Sequence, residues 1–159
     1  MSRDFKIDIS LLDFSPESLK VVWDWYLKTA IIEKVETKEI ERLKKTELFQ
    51  LIGESSINYE KLSLNSLLIQ RDIGMYLARV FIEECENLRW TYTHDLPSKK
   101  NKDVFNNRPQ LSGFMYEEEE VLFEPIHMVG VQAANLLDKT HKVSDLYDLY
   151  LEWSKFYPN

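Results

Sequence analysis

A chain of 159 residues with 44% hydrophobic and 30% charged side chains has the composition of a single globular domain, and four glycines and five prolines are too few for a disordered or low-complexity chain. Twenty lysines and arginines against twenty-seven aspartates and glutamates leave a net charge of -7, which repels nucleic-acid phosphates at long range and attracts a basic partner. One cysteine, Cys85, excludes an intramolecular disulfide, and no apolar stretch approaches the roughly 20 residues needed to span a bilayer.

The first predicted element opens at Phe14-Ser15-Pro16: Ser15 can cap a helix, Pro16 suits its first position, and Phe14 can staple onto Leu19. Leu19, Val22, Trp23, Tyr26, Leu27 and Ala30 then trace one helical stripe. A second helix is predicted from Thr37 to just before Gly53, with Ile40, Leu43, Leu48, Leu51 and Ile52 turned inward. The third and longest starts at Asn58 or Ser63 and runs to Cys85. Leu64, Leu67, Leu68 and Met75 mark one of its faces, and Ile69, Ile73, Tyr76, Leu77, Val80 and Phe81 another, as expected of a core helix. Arg71 and Asp72 inside it predict a structural ion pair to another helix, with a buried functional pair as the alternative. Gly74 and Ala78, and later Gly130 and Ala134, have the one-turn spacing of close helix packing.

Beyond Cys85 the period changes to two, with Leu88, Trp90 and Tyr92 on one side and Arg89, Thr91 and Thr93 on the other, which predicts a half-buried strand. Residues 94–108 have loop composition. Pro109 then leads into a second alternating piece, Gln110 to Phe114, with Val121-Leu122-Phe123 as a candidate extension of the hairpin. Pro125 opens a helix carrying Ile126, Val129, Ala133, Leu136 and Leu137, and Ser144 caps another carrying Leu146, Leu149, Tyr150, Trp153 and Tyr157. The expected architecture is one α+β domain over residues 1–159, predominantly helical. About five helices carry a small antiparallel sheet, a hairpin near 88–93 and 110–114.

Neither a glycine-rich phosphate loop nor a His-x-x-x-His or Cys-x-x-Cys pair occurs, so no cofactor, metal site or catalytic residue is expected. His94, His127 and His141 are far apart in sequence. Glu83, Glu84 and Glu86 surround Cys85 and oppose thiolate formation, which predicts an inert helix-end thiol. Four adjacent glutamates, Glu117, Glu118, Glu119 and Glu120, cannot all point into one site. They read as a solvated acidic knob more readily than as paired carboxylates for acid/base work.

A binding site is most expected between Leu88 and Phe123, where Trp90, Tyr92, His94 and Asp95 precede a basic loop (Lys99, Lys100, Lys102, Arg108) and then Glu117 to Glu120. Plain flexibility of the loop is the competing explanation. The segments GMYLARVFIEE, LRWTY, NRPQLSGF and EPIHMVGVQAANLL, over about the C-terminal half, resemble small uncharacterised bacterial proteins, some of which accompany toxins or mobile elements. Gly74, Tyr76, Trp90, Pro109 and Pro125 carry the match, and the resemblance implies a fold and no catalytic residues.

The functional expectation is a small acidic protein of the reducing cytoplasm that acts by protein-protein interaction, as an inhibitor of the immunity type, on a basic partner such as a toxin. The chain's start lacks the apolar run of a secretory signal, in keeping with that compartment. The alternative is a small-molecule-binding module or unrecognised enzyme, with a pocket between the hairpin and the long helix lined by Tyr76, Trp90, Tyr92 and His94. Nucleic-acid binding ranks lower, because the one basic loop is short and lies in an acidic chain.

Overall fold

The stripe that begins at Leu19 becomes a wall of the core: in α1 (Ser18–Thr29), Leu19, Val22, Trp23 and Tyr26 are all buried. This is the first α-helix of a computed structural model that describes residues 6–92 and 108–158. The Ser15 hydroxyl accepts the Ser18 N–H at 3.3 Å, so Ser15 supports the helix start as its sequence position suggests. Phe14 finds an aromatic partner far along the chain. At φ 60° it stacks on Tyr76, with ring centroids 4.9 Å apart.

Two three-residue strands, β1 (Ile32–Lys34) and β2 (Glu60–Leu62), pair antiparallel with Ile32 opposite Leu62. Nothing in their sequence distinguishes them, since three residues are too few for an alternating pattern. Between them the single helix expected up to Gly53 is two helices, α2 (Thr37–Leu43) and α3 (Glu47–Ile52). Thr46 makes the break. Its hydroxyl donates to the Leu43 carbonyl at 2.7 Å and accepts the Phe49 N–H at 3.3 Å, ending one helix and capping the next. Leu48, Leu51 and Ile52, expected inward, are exposed.

The long helix is α4 (Leu64–Glu84), capped by Ser63, whose hydroxyl accepts the Ser66 N–H at 3.2 Å. It buries Ile73, Gly74, Leu77, Ala78, Val80 and Phe81. Its other apolar face is not core: Leu64, Leu67, Leu68 and Met75 are 73%, 45%, 44% and 46% exposed, because α1, α5 (Pro125–Ala134) and α6 (Asp145–Ser154) cover the opposite side. Arg71 and Asp72 lie on that open face and pair with each other at 2.8 Å, not with another helix. Both are exposed, so the burial that would have made the pair costly does not arise. α4 and α5 meet at Gly74, where an added Cβ would stand 2.7 Å from the Ile126 Cα. Gly130 faces the flexible end of Gln70.

The second sheet has the order β3-β4-β5, all antiparallel: β3 (Arg89–Tyr92), β4 (Pro109–Tyr116) and β5 (Glu119–Phe123). The hairpin and its candidate extension are therefore both present, with Trp90 opposite Leu111 and Leu111 opposite Phe123. β3 is less buried than its alternation predicts; Leu88 just before it is buried, but Trp90 and Tyr92 are not. Leu111, Phe114 and Phe123 are fully buried and bring the sheet onto α4 and α6. Phe81 meets Phe114 at 5.3 Å and Phe123 at 5.2 Å, and Phe123 meets Trp153 at 4.5 Å between centroids. A register shift between Leu111 and Phe114 places Gly113 at φ 104°, with an added Cβ 2.5 Å from the Asn87 carbonyl oxygen, so only glycine fits there. Ser144 precedes α6 without a side-chain capping bond; the Asp145 carboxylate instead ties down the preceding loop by accepting the Lys142 N–H at 2.7 Å. Among the described residues no helix is long and apolar enough to cross a membrane.

Candidate interaction site

β4 and β5 are joined by a two-residue turn, Glu117-Glu118, closed by the Tyr116–Glu119 pair. Glu117 has φ 55°, a backbone region that two-residue hairpin turns usually fill with Gly, Asn or Asp. Local turn chemistry therefore does not explain glutamate at this position. All four glutamates of the run are exposed.

One of the four serves the fold. The Glu120 carboxylate accepts the Gly113 N–H at 2.9 Å, satisfying a donor that the bulge withdraws from the ladder. Glu117, Glu118 and Glu119 form no ion pair among the described residues, although three adjacent carboxylates repel one another and a lysine within reach would relieve that repulsion. With Tyr116 they border an open hollow of about 520 Å³. Tyr116 is exposed, and its ring is held edge-on against Phe156 at 5.5 Å. The result is an acidic turn beside an exposed aromatic ring that packs on Phe156.

The other residues expected at a binding site divide into three groups. Trp90 and Tyr92, 37% and 60% exposed, sit on β3, an edge strand of the sheet. Arg108 is exposed but reaches Glu124, with its Nη1 3.5 Å from each carboxylate oxygen. Glu124 is only 8% exposed, so the guanidinium is the counter-charge of a buried carboxylate. His94 and Asp95, like Lys99, Lys100 and Lys102, lie outside the described residues.

Among the described residues, Tyr76 lines a groove that includes neither Trp90 nor Tyr92. Its hydroxyl is 2.7 Å from the Ser18 hydroxyl and accepts the Phe14 N–H at 3.1 Å, which turns the ring toward α1. There it lines an apolar groove of about 260 Å³ with Ile7, Leu12, Val22, Trp25 and Ile69. A polar group that sequence reasoning passed over is Gln110, Glu124 and His127 around a cavity of about 90 Å³, walled also by Leu122, Met128 and Trp153. The available signal was the three-residue spacing of Glu124 and His127 across the Pro125 helix start, which puts them on one face.

No protein-family model, curated protein or solved structure matches this chain. Among the described residues no three His, Cys, Asp or Glu side chains are grouped to hold a metal. Cys85 is buried at the C-terminal end of α4.

Proposed function

We propose that the protein works by protein-protein interaction, binding a basic partner through the β4–β5 turn as an inhibitor of the immunity type. The observation that carries this reading is the set of three exposed carboxylates, Glu117, Glu118 and Glu119, that no cation of the described residues neutralises. A basic surface laid on the turn would relieve their mutual repulsion and add attraction over a Debye length of about 8 Å at physiological salt. The net charge of -7 steers the same class of partner toward the molecule from further away. Tyr116 supplies the exposed aromatic contact that such interfaces favour. A toxin carrying lysine and arginine at its own active surface is a partner of the right chemistry, and the single buried thiol suits action in a reducing cytoplasm.

The test is to reverse the charges at Glu117, Glu118 and Glu119 to lysine and compare capture of basic proteins from a native lysate with that by the unaltered chain. Loss of a basic protein from the captured set supports the proposal. An identical set from both chains refutes it.

A second reading is a small-molecule module that uses the groove beside Tyr76. Its volume, about 260 Å³, falls just below the roughly 300–1,000 Å³ of ordinary ligand sites, which places it second.

A further inference from the structure

We infer that the cavity between β4, β5, α5 and α6 is a binding site for an alkylguanidinium cation. Glu124 lines this cavity of about 90 Å³ and is only 8% exposed, so a carboxylate stands almost wholly buried on its wall. Gln110, 5% exposed, adds a second buried polar side chain, and Trp153 and Met128 make the apolar part. Leu122 and His127, both exposed, stand at the open edge. A buried carboxylate is costly unless donors surround it, and Glu124 is thinly supplied. Arg108 reaches it with one nitrogen, Nη1, 3.5 Å from each oxygen, whereas paired guanidinium and carboxylate groups normally approach to about 2.7–2.9 Å. Arg108 is itself 47% exposed and is not part of the cavity wall. A carboxylate can accept about four hydrogen bonds, so Glu124 keeps lone pairs for a further donor.

Charge and size select the ligand. Among the described residues the wall carries a carboxylate and no lysine or arginine, so it repels an anion and attracts a cation. The net charge of -7 draws cations from further away. Indole attracts a cation more strongly than the other aromatic rings do, and Trp153 puts one on the wall. An apolar cavity of about 150 Å³ holds a benzene ring, so about 90 Å³ takes a group of roughly three or four heavy atoms. A guanidinium head has that size. A nucleotide or a sugar is too large.

A guanidinium fits better than an ammonium. Its planar fork reaches both carboxylate oxygens at once, a contact that Arg108 does not make, and its weaker hydration lowers the cost of entering a partly apolar cavity. Two guanidinium groups can flank one carboxylate, and the half-exposed Arg108 has solvent on its other side. The alkyl stem of the ligand leaves over Leu122 at the open edge. This site does not depend on the acidic turn. A free alkylguanidine and an arginine side chain presented by a peptide share the chemistry it recognises.

The test is an NMR titration of the full chain with N-ethylguanidinium chloride, followed at the Trp153 indole N–H and the Gln110 side-chain amide. Concentrations up to about 50 mM stay far below denaturing levels. The unaltered chain should bind with a dissociation constant in the millimolar range, the range open to a ligand of so few atoms. Glu124→Gln, which keeps the shape and removes the charge, should weaken binding by roughly tenfold or more, and n-propylammonium should bind the unaltered chain more weakly than N-ethylguanidinium. Arg108→Gln removes a like charge and should tighten binding severalfold, which keeps the test open if Glu124→Gln does not fold. A blocked tripeptide with a central arginine separates the two sources of the ligand. Affinity at least equal to that of N-ethylguanidinium assigns the site to an arginine side chain of a partner, and clearly weaker affinity assigns it to a free alkylguanidine. No shift at these two groups, the same shifts with sodium chloride alone, affinity indifferent to Glu124→Gln, or loss of binding in a folded Arg108→Gln chain would each overturn the proposal.

Discussion

Gly74 and Ile126 set the distance between α4 and α5, since a methyl group on residue 74 would meet the Ile126 Cα at 2.7 Å. Backbone cannot swing aside as a side chain can. Gly74→Ala should therefore lower stability by about 1–2 kcal/mol despite the better helix propensity of alanine, and urea unfolding would show it as a lower midpoint at unchanged slope. Gly130→Ala should be neutral or slightly stabilising, because its new methyl meets only the Gln70 amide nitrogen, which can move. Equal losses from both substitutions would contradict this account of the helix pair.

The small-residue spacing that marks these glycines was legible in the sequence, as were α1, α5, α6 and the β3–β4 hairpin, because each carries a period that one buried face imposes. The second face of α4 was misleading for the same reason. Leu64, Leu67, Leu68 and Met75 have a core pattern, but a pattern records that a face is apolar and not what lies against it. The split at Thr46 was hidden because one hydroxyl makes it, and the β1–β2 pair because its strands are too short to alternate. At the candidate site the acidic run was legible. The different duty of Glu120 was not, since the bulge at Gly113 that it serves exists only once β4 and β5 are paired.

That division of labour in the glutamate run can be measured. Glu120→Ala should lower stability by about 0.5–1 kcal/mol, or about 1–4 °C in melting temperature, by leaving the Gly113 N–H without its acceptor, while Glu120→Gln should retain most of the stability. Alanine at Glu117, Glu118 or Glu119 should leave the melting temperature unchanged or raise it slightly. A melting temperature as sensitive to Glu118→Ala as to Glu120→Ala would contradict the assignment.

Ser66 joins α4 to the strand pair, with its buried hydroxyl accepting the N–H of the partly solvated Ile31 at 2.8 Å. Ser66→Ala would strand that donor and should cost about 1–3 kcal/mol. Hydrogen exchange should show the loss first at Ile31 and along β1. Protection unchanged there would mean the bond contributes nothing.

Tyr26 is fully buried, and its hydroxyl has no hydrogen-bond partner among the described residues. Burial pushes its pKa up to about 12. The folded state therefore holds this proton more tightly than the unfolded chain, whose tyrosines titrate near 10. The corresponding stability is complete below about pH 10 and is lost as pH rises from there toward 12. Tyr26→Phe removes an unpaired hydroxyl, so it should be neutral or stabilising by up to about 1 kcal/mol at pH 7 and should reduce the alkaline loss. A large destabilisation at pH 7 would contradict the assignment of an unpartnered hydroxyl.

The central claim is that Glu117, Glu118 and Glu119 recognise a basic protein. The most direct measurement is the association rate, across a series of salt concentrations, between this chain and the basic protein it captures from a native lysate. For the unaltered chain the rate should fall steeply as salt rises. Reversing the three charges to lysine should slow association at low salt by roughly tenfold or more and flatten the salt dependence, with folding unchanged. An association rate and salt slope that survive the reversal, or the capture of no basic protein at all, would contradict it.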